Sequence, residues 1–304
     1  MVPASNDERR DMEATYPNQR KCGVLIAQNR LIELNPGIRQ RLAALEDATR
    51  ARRATDVVVR RGLLTIRVIV HVVYQTDEQN ISDGQIQSQI DVLNRDYRAT
   101  NPDIDKVPAV WRPLPTDAQL EFRIDDVMRT HTDHGPFTPD DSVKFSDAGG
   151  HDVVHPDTHL NIWTCDLGDG LLGYAQFPGA PSDTDGVVIL HSAFGTEGTA
   201  AAPFNLGRTS THEIGHYLNL HHIFGDNPTP SCSDDDFIAD TPTQLGPNFG
   251  KINFPSISCN NGPNGDMFMN YMDYVDDDTM HMFTVQQVLR MRTALAQERP
   301  NLGS

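Results

Sequence analysis

Hydrophobic residues along this chain follow two spacings, one typical of strands and one typical of helices. Residues 65–74 are dense in β-branched side chains and partly alternate, which predicts a strand. Four apolar residues then recur at i, i+4, i+7 and i+11: Ile86, Ile90, Leu93 and Tyr97. This spacing predicts a helix with Ser82 or Asp83 near its N-terminal cap. Val285 to Gln297 predicts a final helix, and three more segments are predicted strands: 119–127, 159–164 and 186–190.

Two other regions complete the pattern. Residues 24–55 are predicted to form a helix and a connector, because Leu42, Leu45 and Ala48 have helical spacing. Residues 225–266 are rich in Pro, Gly, Asn and Asp and show little periodicity. Loops of that length are usually functional or held by ions and cross-links. The order of the elements therefore predicts an α+β fold of two lobes with an irregular second half and a terminal helix.

Charge divides the chain into two parts. The 304 residues carry a net charge of −17, of which residues 1–61 contribute +4 and the remainder −21. The charges of the basic segment are mixed and lack interleaved aromatic residues, which argues against nucleic-acid binding. We expect the segment to lie on the acidic body instead. No apolar run approaches the length of a membrane span, and mean hydropathy is −0.46, so no membrane partner is expected.

The strongest chemical signal is a run of histidines in residues 212–222. His212, His216 and His222 stand at i, i+4 and i+10, and Glu213 directly follows the first. On a helix, positions i and i+4 share one face, so both imidazoles can bind the same zinc ion. If the helix ends before His222, the third imidazole can swing back. Three nitrogens leave a fourth position open, which is typical of catalytic zinc, with Glu213 placed as general base.

The residues around this motif leave some details open. His221 competes with His222 for the third ligand position, and only His222 has the i+10 offset, so His221 is expected to be a pocket or surface residue. Either Ser210 or Thr211 can cap or open the helix. Four apolar residues supply the surface that buries it: Ile214, Tyr217, Leu218 and Leu220.

Residues 212–222 resemble the zinc motif HExxHxxGxxH of the metzincin metalloproteases. Asn219 stands where that family has glycine, and asparagine is the residue after glycine that best tolerates positive φ. Residues 270–274 resemble the Met-turn of the same proteins. The resemblance implies that Met272 forms an apolar floor under the histidines. It also implies that Tyr274 stabilises the oxyanion that develops during hydrolysis.

Among metzincins, the chain resembles the pappalysin family and within it the ulilysin type. Four stretches carry this resemblance: 171–178, 212–226, 236–242 and 270–284. It covers most of residues 62–304 and implies a catalytic domain there. The upper lobe, of about 62–222, would contain a mixed twisted sheet and the zinc helix, and the lower lobe would span about 223–304. The metal would lie in the cleft, and residues 1–61 would form a propeptide.

The family resemblance also implies substrate-binding residues. Leu171, Gly173 and Ala175 fall in the edge strand that would pair with an extended substrate. Asp277 resembles the aspartate at the base of the S1′ pocket, which implies cleavage before Arg or Lys. The alternative is that residues 276–278, three consecutive aspartates, form a solvated acidic turn.

Latency is expected from the N-terminal segment. Cys22 lies in an Arg-Lys-Cys-Gly sequence that resembles a cysteine switch, in which the thiolate occupies the fourth zinc position. It could instead be a solitary cysteine or a partner for Cys165. Basic pairs at 52–53 and 60–61 lie near the boundary with the acidic body. A protease that cuts before basic residues would release its own propeptide there, leaving Arg60 or Arg61 as the mature N-terminus.

Cross-links and a second metal are implied for the long loop. The spacing of Cys232 and Cys259 resembles a family disulfide, whereas Thr279 stands where a second disulfide would need a cysteine. Cys165 is then expected to be a buried thiol. Asp236 and Thr241 resemble calcium ligands, the alternative being an ordinary solvated acidic loop.

Three functions are compatible with these sequence features. The leading prediction is a secreted zinc endopeptidase in zymogen form that acts on proteins or peptides. Secretion is consistent with a disulfide, although no signal peptide is visible at the N-terminus. The alternatives are a zinc hydrolase of another amide or ester, and a zinc-binding module without catalytic activity. The presence of Glu213 argues against the last, because a structural site needs no base.

Overall fold

A five-stranded sheet organises the first part of the computed structural model, which describes residues 17–53 and 62–303 except the side chains of residues 52 and 53. Its strands are β1 Leu64–Tyr74, β2 Leu120–His131, β3 His159–Cys165, β4 Gly173–Ala175 and β5 Val187–Leu190. Their order in the sheet is β2-β1-β3-β5-β4. All pairs are parallel except β4 with β5, which is antiparallel. The short β4 therefore forms one edge of a mixed sheet, as predicted.

The predicted strands and the first body helix are confirmed. Parallel β1 and β2 need a crossover connection, and α3 (Asp83–Asp96) supplies it. Ser82 caps this helix, since its hydroxyl accepts a hydrogen bond from the amide of Gln85 at 3.1 Å. β2 continues to His131, beyond the predicted end at residue 127, because it pairs with β1 along the full length of that strand.

The helix that carries the histidines, α4, spans Arg208–Tyr217. The expected start at Ser210 or Thr211 is wrong. Gly207 precedes the helix with φ 74°, a conformation that favours glycine. The Arg208 side chain then anchors the first turn by donating to the Tyr271 hydroxyl at 2.7 Å and the Met280 carbonyl at 2.8 Å.

The end of α4 confirms the interpretation of Asn219. Asn219 has φ 75°, so it adopts the left-handed conformation in place of glycine. Its amide donates to the His216 carbonyl at 2.8 Å, and the Leu220 amide donates to the Gly215 carbonyl at 2.9 Å. This pair of bonds is a Schellman motif, which ends a helix and reverses the chain. The reversal allows residue 222 to return to the face of α4.

The second half is mostly irregular, and α5 (Val285–Gln297) ends it within the predicted bounds. Two short strands, β6 (Phe249–Gly250) and β7 (Tyr274–Val275), pair in parallel. Cys232 and Cys259 form the predicted disulfide, with their Cα atoms 5.3 Å apart. Cys165 is a buried free thiol, as expected.

The N-terminal segment forms two helices, α1 (Val24–Leu34) and α2 (Gly37–Arg53), where one helix and a connector were expected. The break falls at Asn35-Pro36, because a residue before proline is disfavoured in helical conformation. Val24 and Ala27 of α1 are buried against the cores of the body. The predicted domain boundary at residue 61 lies outside the described residues, as do Arg60 and Arg61.

Within the described ranges, none of the helices combines the length and the apolar character needed to cross a membrane.

Candidate active site

The three motif histidines converge on one point in the buried centre of the molecule. α4 presents His212 and His216 on one face, and the reversal at its end brings back His222. Nε2 of His216 lies 3.1 Å from Nε2 of His212 and 3.1 Å from Nε2 of His222. All three side chains are buried.

The other nitrogen of each imidazole has its own acceptor. Nδ1 of His212 donates to the Tyr271 carbonyl, Nδ1 of His216 to the Leu220 carbonyl and Nδ1 of His222 to Asp226, each at 2.7 Å. The three Nε2 atoms therefore carry lone pairs that point at one another. Burial, and then the neighbouring histidines, hold the pKa values of His212 and His216 well below their usual range. Neutral imidazoles are the form that binds metal.

This arrangement fits zinc. Ligands about 2.0–2.1 Å from a tetrahedral zinc would lie about 3.4 Å from each other, close to the observed separations. Lone pairs at such distances repel unless a cation lies between them. Cys22 Sγ joins the cluster, and its sulfur and the histidine nitrogens all lie within 4.8 Å of one another. In the described part of the chain, no other group of three or more His, Cys, Asp or Glu side chains converges in this way.

Glu213 lies beside the cluster without joining it. Its carboxylate is buried, and Oε2 accepts a hydrogen bond from Cys22 Sγ at 3.4 Å. Burial raises the pKa of Glu213 to about 8, against the lowering effects of the Cys22 hydrogen bond and the Arg20 charge. A carboxyl group with a pKa near neutrality is suited to accept and return a proton.

Two residues of the second half complete the site. The Tyr274 hydroxyl lies 3.1 Å from His222 Nε2, close enough to reach a ligand of the cluster. Met272 is fully buried under α4. A Cβ atom at Gly215 would lie 2.5 Å from the Met272 sulfur, so the glycine lets the methionine approach the helix between two of the histidines.

The edge strand β4 is occupied by the N-terminal segment. The Leu172 amide donates to the Lys21 carbonyl at 3.0 Å, and the Gly23 amide donates to the Gly173 carbonyl at 2.8 Å. Cys22 thereby forms a bridge parallel to β4. Gly173 also makes room for the glutamate, since a Cβ there would lie 2.9 Å from Glu213 Cγ. Of the three predicted substrate-binding residues, Gly173 and Ala175 lie in the strand and Leu171 precedes it.

Asp277 is buried and holds an arginine of the same chain, Arg20. The Arg20 guanidinium donates to Asp277 Oδ1 at 2.5 Å and to the Thr209 hydroxyl at 3.1 Å. It also donates to the Val275 carbonyl at 3.2 Å and stacks on the Phe204 ring. The solvated acidic turn is therefore wrong for Asp277. It describes Asp278 better, which pairs with an exposed lysine.

Sequence reasoning missed two of these contacts. The sequence alone assigned no role to Arg20, although it lies only two residues before Cys22. Asp226 accepts from both His221, through Oδ2, and His222, through Oδ1. Burial raises the pKa of Asp226, but the two imidazoles outweigh it and hold that pKa well below its usual value. An aspartate four residues after a metal-binding histidine is a signal that could have been used.

The predicted calcium ligands lie together in the long loop. The Thr241 hydroxyl is 3.0 Å from both carboxylate oxygens of Asp236 and 2.9 Å from the Ile238 carbonyl. Burial raises the pKa of Asp236 well above its usual value. These contacts bring two oxygen donors of the right type together, and calcium binding stays a prediction.

The α+β fold, the histidine cluster and the Met-turn define the chain as a metzincin metallopeptidase. The Peptidase_M43 family model, described as pregnancy-associated plasma protein-A, matches residues 151–296. An extracellular metalloprotease of Trichophyton verrucosum is 34% identical over 238 residues, which cover 75% of this chain and 76% of that protein. The chain belongs to this pappalysin-type M43 family.

Two solved structures are similar along their full length. Mature mirolysin of Tannerella forsythia, in complex with a cleaved peptide, is 43% identical with a TM-score of 0.75, covering 81% of this chain and 100% of that one. A promirolysin mutant of the same organism is 40% identical with a TM-score of 0.84. It covers 94% of this chain and 100% of its own. The longer match thus extends into the N-terminal helices.

Proposed function

We propose that this chain is the latent form of a secreted zinc endopeptidase that cleaves before Arg and Lys and removes its own N-terminal segment. The observation that carries the proposal is the double occupation of the site by one short segment. Arg20 fills the pocket at Asp277, and Cys22 Sγ completes the histidine cluster two residues later.

The residues of the site have separate roles in this reaction. His212, His216 and His222 would hold zinc, which supplies the Lewis acidity that activates water and polarises a peptide carbonyl. Glu213 takes the proton of the attacking water and passes it to the leaving amine. The Tyr274 hydroxyl donates a hydrogen bond to the oxygen of the tetrahedral carbon.

Substrate is placed by the backbone and by one pocket. The Gly173 carbonyl of β4 and the Leu172 amide just before the strand bind the N-terminal segment in the latent chain. In the active enzyme they would pair with extended substrate. Asp277 supplies a buried carboxylate for an incoming guanidinium or ammonium group. The two hydrogen bonds that its Oδ2 accepts from the amides of Leu206 and Arg208, at 2.8 and 3.3 Å, fix its position.

The inhibitory segment runs through the site in the direction opposite to that of a substrate, which explains why it would resist cleavage. In a substrate with arginine at P1′, the carbonyl of the preceding residue must reach the metal. Here the side chain of Cys22, two residues after Arg20, reaches the metal site instead. The Arg20 side chain therefore occupies the specificity pocket, while Cys22 places a thiol where a substrate would place its scissile carbonyl.

The remaining parts of the proposal concern processing and location. Residues 1–61 would be the propeptide and residues 62–304 the catalytic domain, with calcium held at Asp236 and Thr241. The relatives named extracellular metalloproteases and the Cys232–Cys259 disulfide support secretion.

The purified chain tests this function directly. After incubation with zinc and calcium, we expect sequencing to find a new N-terminus at Arg60 or Arg61. Digestion of a denatured protein should then give peptides that begin with Arg or Lys. Hydrolysis of simple esters without any peptide cleavage would favour the alternative hydrolase, and zinc binding without hydrolysis would favour the non-catalytic module.

Replacement of the switch cysteine tests latency. Cys22→Ala removes the sulfur from the metal cluster, and we expect the chain to process itself during expression or within minutes of purification. Intact mass against time measures the change. Lys21→Ala is the matched control, because the Lys21 side chain is exposed and its amino group contacts only the Asp169 carbonyl at 3.3 Å among the contacts described. If both variants stay as latent as the parent, Cys22 does not provide the inhibition.

A further inference from the structure

A buried arginine behind the zinc site contacts the turn that joins two of the histidines. Arg290 lies on α5, and its side chain is 1% exposed. Its Nε donates to the carbonyl of Asn219 at 2.5 Å. Asn219 is the left-handed residue at the end of α4, halfway between His216 and His222 in the sequence.

That turn determines the positions of two ligands. The Leu220 carbonyl, one residue further on, accepts the hydrogen bond from His216 Nδ1 at 2.7 Å. Only one residue, His221, separates Leu220 from His222. A rotation of the peptide plane after Asn219 would therefore displace both the acceptor that orients His216 and the backbone of His222.

Arg290 is also joined to the N-terminal segment. Its Nη1 forms an ion pair with Glu46 of α2 at 2.5 Å, and the Glu46 side chain is 15% exposed. The guanidinium thus links α2, α5 and the turn after α4. A planar guanidinium can hold a carbonyl and a carboxylate at once, whereas a lysine ammonium lacks that fixed geometry.

We propose that Arg290 is a positioning residue for the zinc site, which fixes the turn at Asn219 so that His216 and His222 keep their orientation. Mutation of a residue that supports a metal ligand without binding the metal typically lowers metal affinity by about 10- to 100-fold. Arg290 acts through the backbone of the ligand loop and touches neither substrate nor metal. The inference rests on the proposal that the three histidines hold zinc.

Zinc release from the full-length chain tests the inference. The zinc-loaded protein is mixed with excess chelator, and dissociation is followed with a zinc indicator dye. We expect Arg290→Met to release zinc about tenfold faster than the parent or more. Arg290→Lys should fall between the two. Glu46→Gln should release zinc at nearly the parent rate, since the bond to the Asn219 carbonyl remains.

Arg292→Met is the matched control. Arg292 lies on the same helix, is 6% exposed, and donates to the carbonyls of Gln119 at 3.2 Å and Gly62 at 2.8 Å, away from the zinc turn. If both arginines only support the fold, Arg290→Met and Arg292→Met should lower the melting temperature and change the rate of zinc release to the same extent. Equal zinc release from the Arg290 and Arg292 variants would overturn the inference. A parent chain without bound zinc would overturn the proposed function instead.

Should Arg290→Met fail to fold, Arg290→Lys carries the test, because it keeps the charge and most of the volume. Zinc release from Arg290→Lys that matches the parent rate would also overturn the inference.

Discussion

Glu213→Gln is expected to leave zinc bound at one ion per chain and to stop self-processing. Glutamine has the same shape as glutamate but cannot accept the proton of the attacking water. General acid–base catalysis contributes about 10²- to 10⁴-fold to such reactions, so the variant should remain full-length over times in which the parent is fully processed. Intact mass and metal analysis on the same samples measure both quantities.

The control for this prediction is Glu197→Gln, which changes an exposed glutamate and should process like the parent. Zinc content decides the role of Glu213. If zinc is lost together with activity, Glu213 is a ligand or a structural support and not the base. If self-processing continues at the parent rate, proton transfer does not depend on this carboxylate.

Asp277→Ala is expected to remove the preference for Arg and Lys at P1′. The pocket would lose the buried carboxylate that now holds Arg20 at 2.5 Å. Breaking a buried ion pair by removal of one partner typically costs about 3 kcal/mol or more. For peptides with a basic P1′ residue, that cost corresponds to about a hundredfold fall in kcat/KM or more. The same variant should be less latent, because Arg20 loses its partner.

Two further variants separate charge from structure. Asp277→Asn keeps an oxygen that can accept from the amides of Leu206 and Arg208, and it should lose selectivity while zinc stays bound. Asp278→Ala is the matched control from the same acidic run, since its carboxylate pairs with the exposed Lys251. A peptide library gives the P1′ profile of each variant. A profile that Asp277→Asn leaves basic, or that Asp278→Ala changes as strongly, would show that the pocket lies elsewhere.

Most of the fold could be predicted from local patterns. The β-branched run of β1 and the apolar spacing of α3 identified both elements, and the bounds of α5 matched. The start of α4 could not be predicted in this way. A hydroxyl at residue 210 or 211 is a common helix cap, but the positive φ of Gly207 and the buried contacts of Arg208 moved the start upstream. At the start of α4, tertiary contacts therefore outweighed the local capping preference of residues 210 and 211.

The sequence by itself determined the chemical groups of the site. The spacing within residues 212–222 predicted the three zinc ligands and the base Glu213. The resemblance to metzincins predicted the roles of Met272 and Tyr274. Only the tertiary structure decided which distant groups complete them. Arg20 meets Asp277 across 257 positions of the chain, and Arg290 meets the Asn219 carbonyl across 71. The spacing of hydrophobic residues predicts contacts within a few turns of one element. The two long-range contacts depend instead on how α2, α5 and the N-terminal segment pack against the body.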